Sequence, residues 1–302
     1  MSETIEKKFP VTLPARLNLS NIRGSVEIRP SDDSFIQVTA TKQPHTGDEK
    51  RTEIEITQEA DGTVKAATRF PDGWNWLFGS QPCVVDYKVT APRQCSIKVN
   101  GVSNTVLAEG FEGDTTVNSV SGEITIRDLK GSVRIHTVSG DADGERITGS
   151  LDLDTVSGNM TLLDSVLSSI KGNTVSGDMR IRTSLTEGPY FFKSVSGQVR
   201  LTVPADSHCT AELHSVSGDL VSAFPITGAS RHRGNQAVNV QGGGVKIFLH
   251  SVSGDLSLEC DEEIPAVAEL VKTTSSEERR SVLERVERGE LTVDEALGQL
   301  HK

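Results

Sequence analysis

Seven copies of Val-Ser-Gly constrain this chain more than any other feature. They begin at Val120, Val138, Val156, Val175, Val195, Val216 and Val252, in steps of 18, 18, 19, 20, 21 and 36 residues. The last step reads as two units of 18, and a degenerate copy, Val102-Ser103-Asn104, lies one unit upstream. A unit of that length cannot bury a core alone. Copies at a fixed period therefore imply stacked coils, each rung completing its neighbour.

The residues around the tripeptide are as regular as the tripeptide. Ser or Thr always precedes Val: Ser119, Thr137, Thr155, Thr174, Ser194, Ser215 and Ser251. An acid or amide always follows Gly: Glu123, Asp141, Asn159, Asp178, Gln198, Asp219 and Asp255. Three residues before Val stands Val117, Ile135, Leu153, Phe192, Leu213 or Leu249, with Gly172 the exception, and apolar pairs such as Ile124/Ile126 and Met160/Leu162 follow the corner. Period-two alternation on both sides of a turn signal reads as strand, corner, strand. Gly122, Gly140, Gly158, Gly177, Gly197, Gly218 and Gly254 are the structural turn residues, because glycine accepts backbone conformations that other residues resist. The flanking Ser and Asp/Asn side chains bond nearby backbone. The valines are expected to form an interior ladder, with a hydrogen-bonded hydroxyl ladder beside them. Gly113, Gly131 and Gly149, and later Pro204 or Pro225, mark a second corner half a period away.

These features predict an all-β, repeat-built β-solenoid of parallel rungs, about 18–21 residues each. An antiparallel sandwich of hairpins fits the same turn spacing. Four segments are expected: residues 1–100, a β region continuous with or capping the solenoid; 101–262, the solenoid; 263–274, a linker; and 275–302, a helical hairpin. The hairpin reading rests on two capping boxes, Ser275 with Glu278 and Thr292 with Glu295. Val282, Leu283, Val286, Val293, Leu297 and Leu300 share its apolar faces. A hairpin this short needs a docking surface, so these six residues are candidates for oligomerisation.

The chain has 302 residues and a formal net charge of -11, which argues against a nucleic-acid partner. No apolar run is long enough for a membrane-spanning helix. The first seventeen residues lack an apolar signal core, so a cytoplasmic protein is expected, with peripheral attachment at the inner membrane face as its membrane option. Cys83, Cys95, Cys209 and Cys260 have no metal-binding spacing and read as reduced thiols.

The repeats from Ser119 to Leu258 resemble the bacterial putative-adhesin family of β-strand-repeat proteins of unknown function. The segment Ser276–Leu300, with Glu-Arg-Gly-Glu-Leu-Thr-Val-Asp-Glu-Ala from Glu287, resembles the oligomerisation-type hairpin of the LiaX and YvlB members, where it is usually N-terminal. The resemblance implies a link to cell-envelope stress and no enzymatic activity in the repeat domain.

Candidate chemistry is sparse. A serine repeated at every corner serves something every corner needs, which is structure rather than nucleophilic catalysis. His136, His214 and His250 share the position two before Val with Asn118, Asp154, Asn173 and Lys193, an outward polar stripe. His136 beside Asp154 makes a poor metal site. Asp141-Ala142-Asp143-Gly144 and Gln241-Gly242-Gly243-Gly244 read as turns, and no cofactor is expected. Trp74, Trp76, Leu77 and Phe78 lie in the segment that holds both tryptophans of a chain only 4% aromatic. It reads first as an end cap, and otherwise as a partner or membrane anchor. The function expected is a non-catalytic adhesin-like scaffold with a protein partner or self-association. Its alternatives are a self-polymerising filament and a membrane-peripheral sensor.

Overall fold

Each corner of the repeat lies over the corner of its neighbour, and the strands follow from that. The computed structural model describes residues 3–70, 81–232 and 235–261. The N-terminal strands are β1 (Glu3–Pro10), β2 (Ala15–Ser31), β3 (Phe35–Lys42), β4 (Glu53–Gln58), β5 (Val64–Arg69), β6 (Val85–Pro92) and β7 (Cys95–Glu109). The repeats supply β8 (Thr115–Ser121), β9 (Ile124–Arg127), β10 (Lys130–Ser139), β11 (Ala142–Glu145), β12 (Thr148–Ser157), β13 (Met160–Ser176), β14 (Met179–Leu185), β15 (Tyr190–Ser196) and β16 (Val199–Pro204). Then come β17 (Cys209–Ser217), β18 (Leu220–Ser222), β19 (Ile226–His232), β20 (Asn235–Val240), β21 (Val245–Ser253) and β22 (Leu256–Asp261).

Within the repeats the strands pair in parallel, register by register, which excludes the hairpin sandwich there. On one face Ser119, Thr137, Thr155, Thr174 and Ser194 align from β8 to β15. On the other, Ile124, Ala142, Met160, Met179 and Val199 align from β9 to β16. The result is a solenoid-like stack with two strands and two corners per rung. β2 and β7 belong to it, pairing in parallel along both faces.

The apolar positions fill the space between the faces. Val117, Ile135, Leu153, Phe192, Leu213 and Leu249 are buried, as are the pairs Ile124/Ile126, Met160/Leu162 and Leu256/Leu258. Gly172 departs from the pattern for a reason of volume. A Cβ there would meet Met179 Sδ at 2.9 Å and Phe192 Cδ1 at 3.0 Å, so larger neighbours occupy its share of the core.

Two expectations need correction, one about the order of the rungs and one about a turn. The step from Val216 to Val252 is not two further units along the stack. β21 pairs with β15 on one side and β17 on the other, and β22 lies between β16 and β18. The chain passes over a rung position, builds β17 and β18, turns through the antiparallel β19 and β20, and fills the position last. At the opposite end β5 and β6 lie outside β2, flanked by antiparallel β4 on one face and by β3 and β1 on the other. The second correction concerns Asp141–Gly144: Ala142–Glu145 is strand β11 rather than a turn, with Ala142 buried.

The expected linker 263–274 and hairpin 275–302, including Val282, Leu283, Val286, Val293, Leu297 and Leu300, lie outside the described residues, as do Trp74, Trp76, Leu77 and Phe78.

Candidate functional site

The valines of the repeat point out of the stack. Val102, Val120, Val138, Val156, Val175, Val195 and Val252 are each 47–53% exposed and Val216 85%. The expected interior ladder is therefore an exterior one. Strand parity explains it. With the residue three before Val buried, the residue one before Val shares the inward face and Val must face out. Ser119, Thr137, Thr174, Ser194 and Ser215 take the inward place.

The corner holds this arrangement with backbone contacts that tolerate no side chain. A Cβ on Gly140 would collide with the carbonyl oxygen of Gly122. Gly158 stands likewise to Gly140, Gly177 to Gly158, Gly197 to Gly177, Gly254 to Gly197 and Gly218 to Gly254. The last two contacts repeat the interleaved order of the rungs. Gly122, Gly140, Gly158, Gly177 and Gly197 also hold φ between 118° and 145°, where other residues are strained.

The acid or amide after glycine secures the next rung. Asp141 Oδ1 accepts from the Asn159 N–H at 2.8 Å, Asn159 Oδ1 from Asp178 at 3.1 Å, and Asp178 Oδ1 from Gln198 at 2.9 Å. The hydroxyls do not form the expected continuous ladder. Ser119 and Thr155 donate to carbonyls of their own corner, Ser121 and Ser157, while Ser121 donates across to the Val102 carbonyl.

Beside the valines runs the polar stripe expected from the sequence, in the spatial order Asn100, Asn118, His136, Asp154, Asn173, Lys193, His250, His214. Asn118 Nδ2 donates to Asn100 Oδ1 at 2.9 Å, His136 Nδ1 lies 3.0 Å from Asp154 Oδ2, and Asn173 donates to Asp154. The rings of His214 and His250 stack at 4.8 Å, and Lys193 Nζ lies 5.3 Å from the centre of the Phe191 ring. Burial, with the nearby His214 and Lys193 charges, lowers the His250 pKa below the usual histidine value.

Between stripe and valines lies an open trough of ≈ 440 Å³ running from Asn100 to Val175, with the valines as its apolar wall. Such a surface can bind by shape and apolar contact along its length. Sequence reasoning missed the valines because apolar character was taken to mean burial. The period-two pattern contained the signal that places them outside.

The cysteines are all free, with Cys83, Cys95 and Cys209 buried and Cys260 exposed. Burial pushes Cys95 up to about 12 and Cys209 up to about 11, so neither supplies a thiolate nucleophile near neutral pH. Among the described residues no group of His, Cys, Asp or Glu could hold a metal ion, and no helix is long and apolar enough to cross a membrane.

A family model described as Toastrack DUF4097 matches residues 15–259. No curated protein matches the chain. Among solved structures, a putative adhesin from Bacteroides fragilis is 12% identical over 86% of this chain and 97% of its own, with a TM-score of 0.41. A putative adhesin from Parabacteroides distasonis is 10% identical over 85% and 97%, with a TM-score of 0.39. A putative lipid binding protein from the same species is 10% identical over 85% and 94%, with a TM-score of 0.31.

Proposed function

This chain belongs to the Toastrack DUF4097 family, and from that premise we propose that it works as a non-catalytic, adhesin-like interaction scaffold of the bacterial cell envelope. The observation that carries the reading is the exposed valine ladder. Single exposed valines need no explanation, but a continuous apolar line beside a polar stripe marks a contact surface. The corner serines that resemble nucleophiles are copies of a structural part. Ser121, for one, donates its hydroxyl to the Val102 backbone carbonyl. The envelope assignment comes from the resemblance of the repeats to the putative-adhesin family, with a peripheral place at the inner membrane face.

The test is fractionation of native cells into soluble and membrane fractions with a salt wash. Wild type is compared with a Val120→Ser, Val138→Ser, Val156→Ser variant. The wild type should pellet and resist salt, and the variant should be released while keeping its melting temperature. A wholly soluble wild type overturns the envelope assignment. Pelleting that ignores the valine changes overturns the ladder as the contact. Trp74, Trp76, Leu77 and Phe78 are proposed as a second contact, and the same assay on Trp74→Ala with Trp76→Ala checks it. A head-to-tail filament is the weaker reading, because antiparallel strands flank the stack at both ends: β4, β3 and β1 at one, β20 and β19 at the other.

A further inference from the structure

We propose that the valine ladder pairs with the ladder of a second copy of this chain, the two stacks running antiparallel about a two-fold axis through Asn173. The inference rests on reading the ladder as a contact surface, and adds the partner. Spacing selects it first. The valines recur once per rung, about every 4.8 Å. An extended peptide presents same-side residues about every 6.7 Å. A helix presents a face about every 5.4 Å, and is half a rung out of step after four turns. Another stack of the same rung height stays in step along its whole length, as paired sheets do in a dry zipper.

Charge selects the direction and register. With the axis across the stacks, the polar stripe of one copy faces the stripe of the other in reverse order. Centred on Asn173, this brings Asp154 of each copy opposite Lys193 of the other, because these two flank Asn173 by one rung on either side. Val175 then meets itself, Val156 meets Val195, Val138 meets Val252 and Val120 meets Val216. His136 meets His250 and Asn118 meets His214, so within the stripe no like formal charges oppose one another while the histidines are neutral. Parallel stacks would lay the stripe against the corner serines instead, without ion pairs.

The area sets the strength. Seven rungs make a strip about 30 Å long and about 10 Å wide, burying roughly 600 Å² in total. That lies below the usual size of a stable complex, so the pairing is weak and depends on concentration.

Sedimentation equilibrium of the full chain, from micromolar to about 1 mM protein, tests this. The wild type should shift from monomer towards dimer across that range. Asp154→Lys and Lys193→Asp should each weaken association tenfold or more, and the double variant should restore it. A wild type that stays monomeric throughout overturns the pairing. So does a dimer indifferent to both single changes, which is what association through residues 262–302 would give. If the wild type is monomeric while the valine triple variant still leaves the membrane pellet, only self-pairing fails and the contact-surface reading stands.

Discussion

Two residues that look equally invariant in the repeat have opposite roles. Gly158 lies under the Gly140 carbonyl at a φ of 134°, whereas Val156, two residues earlier, is half exposed. Gly158→Ala combines backbone strain with a clash against main chain that has no free rotamer. It should cost about 3 kcal/mol or more, by the magnitudes usual for strained positions and severe clashes. Val156→Ala should stay within about 0.5 kcal/mol, as surface changes do. Chemical denaturation of the two variants checks both. A large loss for Val156→Ala would return the ladder to a structural role. The glycine's importance was legible from Val-Ser-Gly-Asp/Asn itself, because the corner chemistry is local. The valine's direction was legible only through parity with Val117 or Ile135, and residue polarity pointed the other way.

At the scale of elements, β21 is the telling strand. Its His250 lies between Lys193 of β15 and His214 of β17, with Glu212 of β17 opposing them. Burial and the two cationic neighbours disfavour its protonated form, so its folded pKa lies below the ordinary 6.5. In the unfolded chain the group takes up a proton as pH falls through about 6.5, while the folded state resists. The stability tied to it is therefore in full above about pH 6.5 and is lost as pH falls through its lower folded pKa. Melting temperature should fall between pH 7 and pH 5, and His250→Asn should flatten that slope. An unchanged slope would show that His250 is not the responsive group. The interleaving of β21 was not legible in the spacing, since 36 residues equal two rungs by length. Gly234, the residue just before β20, is the turn signal in the sequence that could have flagged a hairpin there.

Over the whole molecule, stability is passed between neighbours. Each rung contacts only the rungs beside it, so damage stays near its origin. A chain ended after Gly244 lacks β21 and β22, leaving β17 without its parallel partner. Hydrogen exchange should then show β17 to β20 unprotected and β8 to β14 as slow as in the full chain. Loss of protection throughout would mean that the stack behaves as one cooperative unit. The parallel stack was legible because periodicity reports neighbours directly. The contact surface was not, because it depends on which way a corner side chain faces and on how many identical corners align.

The glycine column bears on how such a chain can change length. From Gly122 to Gly197 each corner rests on a near-copy of itself, so inserting one more unit there recreates contacts that already exist. Duplication of a gene segment can lengthen that stretch without any new surface having to arise. The interleaved end offers no such freedom, because an added rung between β17 and β21 would separate partners held from both sides. Variation in repeat number should therefore accumulate between β8 and β15, with the closing strands passed on as a fixed block.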